Sequence, residues 1–94
     1  MANVAIYYQL NEHEESNNAI ASITNIVKST ETYYTIVGVF VDSVNENIRL
    51  MDLFDMNLST ISKLIINKYP VDEFDQEMLY QLARSEKFQI ELWN

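Results

Sequence analysis

The sequence predicts a single α/β domain: a three-layer arrangement in which an open, mostly parallel four-stranded sheet carries helices on both faces. Three observations predict it. Apolar runs rich in β-branched and aromatic residues recur at residues 4–10, 34–42, 61–66 and 88–92, which is strand chemistry. Between them, apolar residues return at spacings of three and four, as on one face of a helix. Strands alternating with helices in this way imply right-handed crossovers between parallel neighbours. The 94 residues suffice for one core, so residues 1–94 form one domain.

Residues 4–10 suit a strand covered on both faces. Asn11 and Glu14 have the spacing of a capping box, and Glu12, Glu14 and Glu15 suit the positive end of a helix dipole. Ala19, Ile20, Ile23, Ile26 and Val27 then mark an amphipathic helix to about residue 29. The unbroken run at residues 34–42 reads as a fully buried strand around which the rest is arranged. Inside it, Gly38 is the only glycine, read as a point where a helix packs closely, with a bulge or a ligand's approach as the alternative.

Residues 43–47 form a short polar loop. Ile48, Leu50, Met51, Leu53, Phe54 and Met56 make a short helix so apolar that its surface must be buried. A third strand carries Ile61, Leu64, Ile65 and Ile66, and Pro70 shapes the entry to a last helix beginning at Val71 or Asp72. Its core face is read as Val71, Phe74, Met78, Leu82 and Ala83. Phe88, Ile90 and Leu92 alternate with Gln89 and Glu91, the mark of a half-exposed edge strand.

Fourteen acidic residues against six basic ones give a net charge of -8. A field of that sign repels phosphate backbones, so direct nucleic-acid binding is disfavoured; solubility is the ordinary reading of the charge, and nucleic-acid mimicry the sharper one. Without cysteine there are no disulfides, thiolate nucleophiles or Cys-based metal sites. No basic leader precedes an apolar stretch, and no apolar run approaches the roughly 18 residues of a membrane span. The expected compartment is the cytoplasm.

Residues 5–11, Ala-Ile-Tyr-Tyr-Gln-Leu-Asn, resemble the Ala-Ile-Tyr-x-Arg-Val-Ser of serine recombinases of the resolvase and invertase family. Residues 36–42 resemble that family's second strand, which also ends in Asp. Residues 61–75 resemble its next strand and Leu-Ser-Arg-x-x-Arg-Asp turn, and residues 79–93 its following helix and strand. The resemblance implies the strand order 2-1-3-4. It also implies lost chemistry, because in the family Ser attacks the DNA phosphodiester and arginines stabilise the phosphate charge. Asn11 stands at the nucleophile position, Gln9 at the first Arg position, and Val71 and Phe74 at the second Arg cluster. The long dimerisation helix and the DNA-binding segment are expected to be missing. What remains is a catalytically inactive, recombination-related domain of phage or bacterial type.

Because functional groups in open α/β sheets gather beyond the carboxyl ends of the strands, Gln9, Asn11, Asp42, Asn67 and Lys68 are the candidate cleft. Asp42 with Lys68 would suit a small phosphoryl-handling or nucleotide-binding enzyme, although a receiver-like site also needs an acidic pair where Gln9 and Asn11 stand. No catalytic residue, cofactor or metal is assigned. His13, the only histidine, has the ordinary reading of an exposed residue in a helix's first turn. Asp72, Glu73, Asp75 and Glu77 compensate a helix dipole or offer a docking surface. With Phe88, Ile90 and Trp93 on the edge strand, Asp72, Glu73 and Asp75 make the expected interaction surface, for a protein partner or a homodimer. The sequence thus favours a regulatory domain acting through protein contacts.

Overall fold

In the computed structural model, which describes residues 1–93, β1 (Asn3–Gln9) lies inside the sheet and all but its first residue is buried. The chain continues through α1 (Ser16–Glu31), β2 (Thr35–Asp42), α2 (Ile48–Asp55), a 3-10 turn (Leu58–Thr60), β3 (Lys63–Ile66), α3 (Glu73–Glu86) and β4 (Gln89–Leu92). The four strands run parallel in the order β2-β1-β3-β4, as expected.

The alternation along β1 divides the core in two. Ala5 and Tyr7 meet Leu50 and Leu53 of α2, Leu79 of α3, and Phe88. Ile6 and Tyr8 meet Ala19 and Ile26 of α1. One helix therefore covers one face and two cover the other. No helix among the described residues is long and apolar enough to cross a membrane.

Several expectations are corrected. The β-branched run of β2 is not the buried centre: it forms an edge, and Val37, Val39 and Val41 are 42%, 41% and 38% exposed. High strand propensity reports fitness for a pleated surface, and β1 holds the middle position because helices cover both its faces. Gly38 does not admit a helix. The three atoms nearest a Cβ built there all belong to the Phe40 ring, the first at 2.8 Å, and the pairing of β1 with β2 shifts register beside it, between Val4 and Ala5.

The capping box does not start α1. Glu14 does reach back to the Asn11 amide, which donates to its Oε1 at 2.8 Å, but the Asn11 side chain also donates to that oxygen. His13 adopts φ 65, a left-handed conformation that interrupts any helix. The helix begins only at Ser16, so Glu12, His13 and Glu14 lie in a turn. In α2, Leu50 and Leu53 are buried whereas Ile48 is 61% exposed.

In α3 the apolar face is rotated. Asp72 caps the helix by accepting from the amides of Phe74 and Asp75, and the inward stripe is Asp75, Leu79, Leu82 and Ala83. Phe74 is 70% exposed and Val71 79%. Asp75 is buried because the Asn47 amide donates to it at 3.2 Å; a charged residue inside the stripe made the neighbouring apolar one look like the core. Phe88 is also buried, and Ile90 packs partly against the same core. Most of the expected β4 interaction surface is therefore consumed in folding.

The phase of α3 is testable by truncation. Leu79→Ala should cost about 3 kcal/mol, as buried Leu truncations do, whereas Phe74→Ala should change stability by less than about 0.5 kcal/mol. Urea unfolding of the two variants separates the cases, and equal losses would contradict the phase described.

Candidate functional site

Parallel strands place all their carboxyl ends on one edge of the sheet, and β1 and β3 adjoin there while their connections leave for opposite faces. Such a switch point is where open α/β sheets usually admit a ligand. Here a side chain spans it. Asn67, just after β3, accepts from the Gln9 amide and donates to the Gln9 carbonyl, both at 2.8 Å. The amide thereby extends the sheet's ladder by one pair and closes the crevice.

The Gln9 side chain is buried and donates to the Glu46 carbonyl at 2.9 Å, holding the loop after β2. Asp42, 2% exposed, accepts from the Tyr7 hydroxyl at 2.7 Å and from the amides of Arg49 and Leu50 at 2.8 and 3.0 Å. It therefore caps α2 from outside that helix, satisfying amides that have no partner within it. Lys68 reaches the Leu10 carbonyl at 3.5 Å, and among the described residues it forms no ion pair with Asp42. Asn11 is exposed and bonded to Glu14. The five candidates do gather at one edge, but chiefly to tie loops and strand ends together.

The bridge leaves a cleft on each face. On the α2 and α3 side, a volume of about 180 Å³ is bounded by Tyr7, Gln9, Asn47, Pro70, Asp72 and Asp75. On the α1 side, about 300 Å³ is bounded by Tyr8, Asn11, Ser22, Asn25, Asn67 and Trp93. Neither arginine, Arg49 or Arg84, lines either cleft; Arg49 pairs on the surface with Asp52 at 2.9 Å. Among the described residues no three His, Asp or Glu side chains converge as a metal site would require. The His13 side chain is 90% exposed beside Glu12.

Burial, and then the bond to Asp42, push the Tyr7 hydroxyl far above its ordinary value, so it stays a proton donor. Burial and the 2.6 Å bond to Glu14 raise Tyr8 likewise. That bond, with those from Asn11, holds the Glu14 carboxyl below its usual 4.5. Tyr7 and Asn47 on one side, and Tyr8, Asn25 and Ser22 on the other, were not among the sequence candidates, and Asp75, expected on a docking surface, is buried in the cleft wall instead. The aromatic pair reads as core, and the others as polar loop or helix surface. Only the Asn-rich loop at residues 45–47, with Asn45 at φ 63, carried a local signal.

Compared with known proteins, the chain matches no family model, no curated protein and no solved structure. The likeness to serine recombinases rests on the residue pattern alone.

Two measurements probe this edge. Asp42→Ala should lower stability by about 3 kcal/mol, since it removes a cap and strands the buried Tyr7 hydroxyl; a loss below about 1 kcal/mol would contradict the role given to Asp42. Glu14 has a lowered folded-state value, so its contribution is present above its ordinary 4.5 and lost as pH falls through the depressed one. The Tm difference between wild type and Glu14→Ala should therefore persist at neutral pH and shrink only in acid. A gap unchanged down to about pH 2 would refute this linkage.

Proposed function

We propose that this chain is a non-catalytic, resolvase-like domain that acts by binding another protein in a regulatory role in the cytoplasm. One observation carries the reading: the polar groups at the carboxyl edge are spent on internal hydrogen bonds, while apolar side chains remain outside. Asp42, Asn67 and Gln9 each serve neighbouring backbone groups. On α3, by contrast, Phe74 and Met78 stand one turn apart and partly exposed, with Val71 just before them. Exposed aromatic anchors of this kind are the usual currency of protein interfaces.

The α3 stripe is flanked by Asp72, Glu73 and Glu77, so it suits a partner whose apolar contacts are ringed by Lys or Arg. At the positions where the recombinase pattern has its second Arg cluster, Val71 and Phe74 offer no charge to a phosphate. The phosphoryl-handling reading finds less support, because both oxygens of Asp42 are already engaged.

The test uses the whole chain. Incubated with supercoiled plasmid and Mg²⁺, it should neither nick the DNA nor become covalently attached; either product would overturn the reading. Immobilised in native extract, wild type should retain a protein that a Phe74→Asp bait of equal thermal stability loses. Equal retention by both baits would remove α3 from the interface.

A further inference from the structure

Among the described residues two carboxylates are buried, Asp42 and Asp75, and they are served unequally. Asp42 receives the Tyr7 hydroxyl and two main-chain amides. Asp75, 6% exposed, receives one donor: Asn47 Nδ2 donates to its Oδ2 at 3.2 Å, and among the described residues nothing donates to Oδ1. No fully enclosed polar side-chain atom of those residues lacks a partner, so Oδ1 faces accessible space. That space is the cleft of about 180 Å³ that Asp75 lines together with Tyr7, Asn47 and Asp72.

A carboxylate taken out of water is costly unless a cation or a full set of donors meets it. The N-terminus of α3 offsets part of that cost, but no cation does. Lys28, Arg49, Lys63, Lys68, Arg84 and Lys87 all belong to the described residues. Neither they nor His13 lines the cleft, and none of the ion pairs among those residues includes Asp75. Behind burial and Asp42, the charge of Asp75 is a further cause that raises the Tyr7 hydroxyl, so its field is felt at the cleft's floor.

We infer that this cleft receives an arginine side chain of the partner protein, with its guanidinium against Asp75. Asp72 lines the same cleft, stands one helical turn before Asp75, and spends only its Oδ1 on the helix cap. A planar fork of donors can serve both carboxylates at once, and a guanidinium is hydrated weakly enough to leave water for such a site. Among the described residues no third acidic side chain converges there to cage a metal ion. The source is a protein because the cleft is continuous with the α3 stripe. Val71 belongs to both, lining the cleft and standing 79% exposed three residues before Phe74, so a chain that covers the stripe passes the cleft's mouth. A net charge of -8 attracts a basic partner to it. The inference rests on the reading of α3 as an interface and names the side chain taken up there.

N-acetylarginine amide, titrated into the isotope-labelled full chain, should shift the Asp75 amide and Asn47 side-chain resonances saturably. N-acetylcitrulline amide, of the same shape without the charge, should not. Asp75→Asn keeps an oxygen for Asn47 and should weaken binding about tenfold or more. Glu73→Gln removes a charge that does not line the cleft and should leave affinity within about twofold. A peptide carrying leucine beside its arginine should bind more tightly than the amide, and Phe74→Ala should remove that gain while leaving amide binding unchanged. Absence of saturable shifts, equal shifts from the citrulline compound, or equal losses in Asp75→Asn and Glu73→Gln would overturn the inference. Those results would leave the α3 stripe standing, because the Phe74→Asp bait tests it separately. A peptide no tighter than the amide would overturn the assignment to a protein side chain.

Discussion

Three parts of the fold meet on the carboxyl group of Asp42. It ends β2, receives the hydroxyl of Tyr7 from β1 across the strand pair, and receives the first free amides of α2. Each bond of this kind contributes on the order of 1–2 kcal/mol, but the arrangement matters more than the sum. With α2 capped from β2, the helix sits at a fixed height over the sheet, and Leu50 and Leu53 come down onto Ala5 and Tyr7. The place where an α/β domain commonly keeps a reactive acid is here a joint.

The same economy runs along the whole edge. Asn67 replaces the next rung of the ladder between β1 and β3, Gln9 anchors the loop after β2, and Glu14 gathers Tyr8 and Asn11. Buried polar groups need partners, and these find them within the chain. Apolar surface is distributed the opposite way. Val71 and Phe74 on one face and the valines of β2 on one edge stay in solvent, where exposed apolar area is unfavourable unless something covers it.

Much of the architecture was legible in the sequence. Parallel pairing and helices on both faces followed from the alternation of elements, since few topologies satisfy it, whereas the strand order came only from the resemblance. Position within the sheet was less legible: residues 34–42 and 4–10 have the same composition class, and only the packing of helices tells edge from centre. The phase of α3 was hidden because Asp75 looks like surface until Asn47, 28 residues away, supplies its partner. The turn at His13 escaped for a related reason, as Asn11 and Glu14 do form their local bond without starting a helix. At the carboxyl edge the residue types were readable but their service to backbone groups was not, because those groups are distant in sequence.

Trp93 follows β4 directly, and its amide donates to the Ile66 carbonyl at 2.7 Å. Its indole packs against the cluster of Ile6, Tyr8, Ile26 and Ile65, and it is the single tryptophan of the chain. The intrinsic emission of this protein therefore comes from one site on the sheet's outer margin. It senses whether the last strand is zipped to β3, and so reports fraying there rather than global melting alone.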